Sequence, residues 1–403
     1  MNELEQIETI AVRSPSKIAL VVIDGLGGLP HPDTGKTELE TAKTPNLDFL
    51  ARNGISGLIE PLGPGLTPGS GPAHLALFGY DPFRFTIGRG ILEALGIDFP
   101  LQEGDVAARG NFCTVNDAGV IVDRRAGRIS DDECARLCQL LGHIKVDNLQ
   151  PLVRPVRGHR FLVVLRGHDL HPDVSDSDPN QIGVKPNQIV VLSPEAESTA
   201  ALVREWVNKA RNVLVNSYPA NMVLLRGFSR HPHFVSMSEV YKLKPAAIAT
   251  YPMYRGLAKL LGMDVLDIGK QSSIEEEFDV LAKHYADYDF FFLHIKQADA
   301  AGEDGNFQEK VRVIEEVDAA LPRLTDLKPE VIVVTGDHST PALLKAHSWH
   351  PVPFVLSSRW CRADDVTEFS ERACARGSLG RLPALAVMPL ALANALKLTK
   401  FGA

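Results

Sequence analysis

Asp337 and His338 stand side by side in Val331-Ile-Val-Val-Thr-Gly-Asp337-His338-Ser-Thr-Pro341. A carboxylate beside an imidazole offers two good donors to one divalent cation. The arrangement recurs. Asp24 closes Lys17-Ile-Ala-Leu-Val-Val-Ile23-Asp24, Asp299 and Glu303 follow Phe290-Phe-Phe-Leu-His-Ile295, and His347 comes soon after the first pair. A single Asp after an apolar run is ordinarily a turn former or a helix cap. Three such runs ending in acids turn the reading toward metal-run chemistry on an anionic substrate. Ser70, between Gly69 and Gly71, adds a hydroxyl at the start of a helix of small and apolar residues. Alone it reads as an N-cap. Flanking glycines and a helix start also suit a phosphate, and a cation on the serine oxygen makes it a nucleophile. Asp24, Asp337 and His338 are candidates to hold that cation with Ser70. Asp299, Glu303 and His347 are candidates for a second ion. Two ions roughly 3.5–4 Å apart clamp both sides of an in-line phosphoryl displacement.

These residues need a scaffold that brings distant segments together. Four apolar β-formers before Thr335-Gly336 read as a buried strand. In open α/β sheets, ligands bind at the carboxyl ends of the strands. The spacing predicts that three such strands deliver their acids to one sheet edge. Thr44-Pro45 through Gly54 reads as a helix with cap, first-turn proline and terminal glycine. Residues 57–72 read as a Gly/Pro-rich loop. From about residue 105 the texture changes to arginines, polar turns and short strands such as Phe161-Leu-Val-Val-Leu165, and the βα rhythm resumes near Pro245. The expected fold is α/β. A discontinuous core over 1–104 and 241–403 has a central, mostly parallel sheet flanked by helices, and 105–240 form an inserted α+β cap.

Composition bounds the function. A chain of 403 residues exceeds one typical core. A net charge of −8 leaves no basic footprint for nucleic acid. Cysteines at 113, 134, 138, 361 and 374 are odd in number and scattered, as in a reducing compartment. Cys134 and Cys138 lack a second ligand pair and read as core packing. There is no apolar secretory core at the start and no apolar run of membrane-spanning length, so a soluble cytoplasmic protein is expected. Three decoys fail. Gly25-Leu-Gly27-Gly28-Leu-Pro30 has proline at the last glycine of a dinucleotide fingerprint, Gly35-Lys36-Thr37 lies too far from Gly28 for a phosphate loop, and Pro68 spoils a nucleophile elbow at Ser70.

The surviving constellation resembles the cofactor-independent (2,3-bisphosphoglycerate-independent) phosphoglycerate mutases, in their shorter archaeal-type branch, within the alkaline phosphatase superfamily. The segments that carry the resemblance are Val22-Ile-Asp24-Gly-Leu-Gly, Ala42-Lys-Thr-Pro-Asn-Leu-Asp48, Thr67-Pro-Gly-Ser70 through Pro82, Asp123-Arg-Arg-Ala-Gly-Arg128, Pro252-Met-Tyr-Arg-Gly256, His294-Ile-Lys-Gln-Ala-Asp299, Thr335 through Pro341 and His347-Ser. They span nearly the whole chain. The resemblance implies an alkaline-phosphatase-like core with two metal sites and an inserted cap. It makes Ser70 the phosphorylated nucleophile, Asp24, Asp337 and His338 ligands of the ion that touches it, and Asp299 and His347 ligands of the other. Glu303 stands where the family usually has histidine, and His350 where aspartate is common; Asp304 and His350 are the alternatives for the missing ligand. Manganese is the expected ion, with magnesium, cobalt or zinc as alternatives, and no 2,3-bisphosphoglycerate is required. The substrate is then a small phosphorylated hydroxy acid, with neither nucleic acid nor membrane as partner. Ser70 takes the phosphoryl group of 3-phosphoglycerate, glycerate turns, and its 2-hydroxyl takes the group back. The cap must exclude water and grip glycerate, a task suited to Arg109, Arg124, Arg125, Arg128, His159 and Arg160. Lys244 and Lys296 are further candidates for phosphate. The competing readings are a phosphatase, phosphonate hydrolase or other phosphotransferase built on the same residues, and a non-catalytic metal-binding relative.

Overall fold

The computed structural model describes residues 3–85, 87–232, 234–269 and 272–402. In chain order the strands are β1 (Ile18–Ile23), β2 (Gly54–Glu60), β3 (Val106–Val115), β4 (Ile121–Asp123), β5 (Leu149–Arg157), β6 (Arg160–Gly167), β7 (Met222–Ser229), β8 (Pro245–Ile248), β9 (Asp264–Val265), β10 (Phe290–Ile295), β11 (Val331–Thr335), β12 (Val352–Ser358) and β13 (Gly380–Pro383). They fall into two units, Met1–Thr86 with Phe234–Ala403, and Ile87–His233.

The first unit is built on an eight-stranded sheet in the order β13-β2-β12-β11-β1-β10-β8-β9. Only β12 runs against its neighbours; the other pairs are parallel. The expected α/β core with a mostly parallel sheet is therefore present. β1, β10 and β11 are buried at every position. That is why they read as unbroken apolar runs: a parallel strand covered on both faces has no polar side to alternate with. One face packs against helices through residues such as Phe278, Leu281, Ile314 and Val317. Residues 57–60, expected in a loop, continue β2 instead. Gly57 allows it, because a Cβ there would come within 2.7 Å of the Gly380 carbonyl oxygen on β13.

The second unit is a five-stranded antiparallel sheet in which β3 pairs with β4, β6 and β7, and β6 with β5. The helices Asp131–Gly142 and Glu197–Leu214 bury Leu137, Val203 and Trp206 on one face. Cys134 and Cys138 are part of that core. The helix Arg89–Gly96 packs Ile91 and Ala94 with Ala107, Leu162 and Val164. The boundary thus falls after residue 86, ahead of the 104/105 boundary expected from sequence. The cause is Gly90, whose missing Cβ lets this helix lie on β3; a Cβ would sit 2.1 Å from the Ala107 carbonyl oxygen. The other boundary falls at 233/234, and Met237–Val240 belongs to the first unit, where Met237 N–H donates to Leu261 O. All five cysteines are free. Among the described residues no helix is long and apolar enough to cross a membrane.

Trp206 is fully buried. Trp206→Ala should cost about 3–5 kcal/mol through lost burial and the cavity left behind. Denaturant unfolding followed by circular dichroism measures this, and a loss under about 1 kcal/mol would contradict the packing described.

Candidate active site

Register brings the acids together. β1 lies between β10 and β11, with Val22 level with both His294 and Thr335. Asp24, Lys296 and Asp337 therefore leave three adjacent strands at the same height on the carboxyl edge. The turn after β1 needs Gly25, whose φ is +68° and whose Cβ would come within 2.7 Å of Thr340 Oγ1 and 2.9 Å of Asp299 Cα. Ser70 is not the N-cap of its helix. Gly69 takes that place, so Ser70 opens the helix Ser70–Leu77 with its hydroxyl uncommitted to capping. The imidazole of His74, one turn on, donates from Nδ1 to Ser70 O at 2.8 Å and holds that first turn.

Three donor atoms converge on a fourth, His338 Nε2. Its Nε2 lies 3.2 Å from Ser70 Oγ, 3.4 Å from Asp24 Oδ1 and 3.2 Å from Asp337 Oδ2. Donors held about 2.1 Å from one ion stand roughly 3.0–3.4 Å apart in octahedral or tetrahedral arrangement. The cluster has that spacing. Each carboxylate also has one oxygen tied down and one free. Asp24 Oδ2 accepts from the Tyr254 hydroxyl and from Lys296 Nζ (3.0 Å), and lies 3.2 Å from His294 Nε2. Asp337 Oδ1 accepts from Gly25 N–H at 3.2 Å. Asp24 Oδ1 and Asp337 Oδ2 are buried and hydrogen-bonded to nothing. Buried polar atoms without partners are costly, and these two point at the same imidazole nitrogen. The residues fit a divalent cation.

A second group lies next to the first: Asp299, His338 and His347 offer donor atoms within 4.8 Å of one another. His347 Nδ1 donates to Pro68 O at 3.0 Å, which leaves Nε2 facing Asp299 Oδ1 at 3.5 Å. The His338 and His347 rings stack at 3.6 Å. Glu303 Oε1 is 4.0 Å from His347 Nε2 on a side chain 49% exposed, at the rim of this group. Lys296 bridges the groups, since it also pairs with Asp299 Oδ2.

Charge inside this edge is unevenly held. Burial alone would raise the Asp24 carboxyl, but the Lys296 ammonium leads the groups that outweigh it and hold the carboxyl well below the usual carboxylate range. Asp337 goes the other way: burial first, then the Asp24 and Asp299 charges, push it well up. Burial keeps His338 and His74 neutral, His74 down at about 3. Neutral imidazoles are the form that binds metal.

The family model for 2,3-bisphosphoglycerate-independent phosphoglycerate mutase matches residues 51–221. A Thermus thermophilus protein named as a probable mutase of this kind is 50% identical over 406 residues, covering 100% of both chains. The chain belongs to the 2,3-bisphosphoglycerate-independent phosphoglycerate mutase family. Among solved structures, the PH0037 protein from Pyrococcus horikoshii is similar at 30% identity and a TM-score of 0.84, covering 96% of this chain and 99% of that one. The cofactor-independent phosphoglycerate mutase of Thermoplasma acidophilum is similar at 32% identity and a TM-score of 0.69, covering 94% and 100%.

The second unit of this mutase-family chain carries an arginine cluster. Arg109 is buried, 3.8 Å from Glu93 Oε1. Arg124 forks onto Asp178 at 3.1 and 2.7 Å, and Arg226 approaches the same carboxylate at 3.5 Å. Burial and the neighbouring guanidinium charges push Arg89 and Arg160 down to about 10. Burial, with Arg160, Arg109 and Arg125 nearby, lowers His159 to about 4. Five arginines (89, 109, 124, 160, 226) thus crowd around three acids, Glu93, Asp176 and Asp178. The surplus charge is what an anion would relieve.

The metal-ligand candidates and Ser70 meet within the first unit, and Arg109, Arg124, His159 and Arg160 lie within the second, with exceptions. Lys244 is a correction: it precedes Pro245, which is level with Phe290 at the amino ends of the strands, opposite the acidic edge. Its ammonium sits over the Tyr288 ring instead, 4.9 Å from the centroid. His350 Nδ1 is engaged with Ser348 Oγ at 3.0 Å, and Asp304 is the C-cap residue of Gln297–Glu303; neither joins a donor group. Arg125 and Arg128 are exposed on the turn after β4. Sequence reasoning missed His74, Tyr254, His294 and Thr340 at the edge, and Arg89, Glu93 and Arg226 in the second unit. His294 had a signal: it is a lone imidazole in an otherwise apolar buried strand.

With its carboxyl pushed well up, Asp337 sets a proton in competition with any cation it would bind. Binding should therefore release a proton, and Mn²⁺ affinity should rise with pH, by about tenfold per unit while one proton is displaced. Calorimetry in buffers of different ionisation enthalpy counts that proton. Affinity independent of pH would contradict the charge distribution described.

Proposed function

We propose that this chain interconverts 3-phosphoglycerate and 2-phosphoglycerate through a phosphoserine on Ser70, without 2,3-bisphosphoglycerate. One observation carries the reading: in a chain of the mutase family, Ser70 Oγ and the two unpartnered carboxylate oxygens of Asp24 and Asp337 share His338 Nε2 at 3.2–3.4 Å. Asp24, Ser70, Asp337 and His338 would hold one divalent cation, and Asp299, His347 and Glu303 the other. Manganese is first among manganese, magnesium, cobalt and zinc, because the set is rich in carboxylate oxygen. Bound cations would offset the charge of the transferring phosphoryl group and lower the pKa of the serine hydroxyl.

The chain's own groups do the rest. His74 fixes the turn that carries Ser70. Lys296 balances Asp24 and Asp299, so neither acid need be protonated. Ser70 Oγ forms its bond to phosphorus as the bond to the 3-oxygen of glycerate breaks, and the serine proton passes to that oxygen. On return, the glycerate 2-oxygen attacks phosphoserine, Ser70 Oγ leaves, and the proton goes back. The arginine cluster of the second unit is the part that takes up the glycerate carboxylate. Its guanidinium groups, buried at Arg109 and half-buried elsewhere, repel one another, and a planar fork suits a carboxylate. The expected compartment is the cytoplasm, which suits five free cysteines.

Ser70→Ala should lower mutase turnover by at least about 10⁴-fold while the fold remains. Acid quench of the wild type during turnover should trap phosphate on Ser70 by mass spectrometry. Retained turnover in the variant, or steady release of inorganic phosphate in place of 2-phosphoglycerate, would reject the mutase. Arg160→Met should raise KM by roughly 10–100-fold, the worth of one hydrogen bond to a charged group. An unchanged KM would remove the arginine cluster from substrate binding.

A further inference from the structure

His338 belongs to both donor groups. Its Nε2 faces Ser70, Asp24 and Asp337, while its Nδ1 lies 4.0 Å from Asp299 Oδ1. One imidazole cannot serve two ions through one nitrogen, and the Thr340 hydroxyl occupies the other. Thr340 Oγ1 is 2.6 Å from Asp299 Oδ1 and 3.0 Å from His338 Nδ1. Asp299 pairs with the Lys296 ammonium and so acts as a carboxylate, which can only accept. A hydroxyl has one hydrogen. Thr340 spends it on Asp299, and its oxygen therefore accepts from His338 Nδ1. That places the imidazole hydrogen on Nδ1 and the free lone pair on Nε2.

The hydroxyl is held from every side. Thr340 is fully buried. Its N–H donates to Gly25 O and Gly27 O, at 3.2 and 3.1 Å. Its carbonyl accepts at 2.9 Å from Lys310, a buried lysine that also donates to Gly27 O. Gly302 leaves room, since a Cβ there would come within 2.3 Å of Thr340 O. We propose that Thr340 is a positioning residue that commits His338 to the Ser70-side cation and withholds it from Asp299 and His347. The inference rests on the two-cation reading of this edge. Outer partners that orient ligating histidines typically change metal affinity by about 10–100-fold when removed.

The tautomer can be read without any cation. Multiple-bond ¹⁵N–¹H spectra of the metal-free full chain, with His338 assigned by difference from His338→Gln, should show hydrogen on Nδ1. Hydrogen on Nε2 overturns the role of Thr340. In calorimetry, Thr340→Val should weaken one Mn²⁺ equivalent by about 10–100-fold and leave the other within about threefold. Thr340→Ser, which keeps the hydroxyl, should restore wild-type binding within about threefold. Unchanged binding in the valine variant, or equal weakening in valine and serine variants, overturns the proposal. A wild-type chain that binds no Mn²⁺ overturns the two-cation reading instead.

Discussion

Three buried carboxylates on one sheet edge are the constraint on which this structure turns. Asp24, Asp299 and Asp337 are all shielded from water. Charges that close, in a medium poorer than water, repel strongly unless something positive lies among them. Among the described residues Lys296 supplies that charge, and it reaches two of the three. Burial and the two neighbouring acids push the third, Asp337, well up. The burial that sets these charges against one another is also what makes the edge fit a cation. Tyr254, Thr340 and Gly25 each tie down an oxygen or open a gap, so that the remaining oxygens point one way.

The second unit shows the same logic with the sign reversed. Arg89, Arg109, Arg160 and Arg226 lie close together, and burial makes their mutual repulsion felt. An antiparallel sheet with helices on it is a rigid frame for such a set, because β3, β6 and β7 fix Arg109, Arg160 and Arg226 at set registers.

What the sequence revealed followed physical type. Runs such as Val331–Thr335 were legible because a strand covered on both faces must be apolar throughout, and the acids after them because polarity changes abruptly there. Ser70 and its flanking glycines were legible from composition. The domain boundary was not, since Arg89–Gly96 is an ordinary amphipathic helix whose allegiance depends on the close approach of Gly90 to Ala107. Thr340 was hidden for a related reason. A threonine in a polar turn carries no mark of function until its two neighbours, Asp299 and His338, are seen at hydrogen-bond distance. Thr44 illustrates a partial success. It occupies the predicted cap position, yet Asp318, far along the chain, accepts from the N–H groups of Asn46 and Leu47.

The adjacency of β1, β10 and β11 bears on how the molecule comes into being. The central strand of the acidic edge emerges first from the ribosome, at residues 18–23, but its partners span 290–295 and 331–335. Parallel pairing across so long a separation is slow, and its loop must close before contacts reward it. The second unit, by contrast, is one continuous stretch of chain and can mature while synthesis continues. β1 therefore stays without both of its sheet partners until residues 290–295 and 331–335 have been made, and a chain halted before residue 331 lacks the strand that leads to Asp337 and His338.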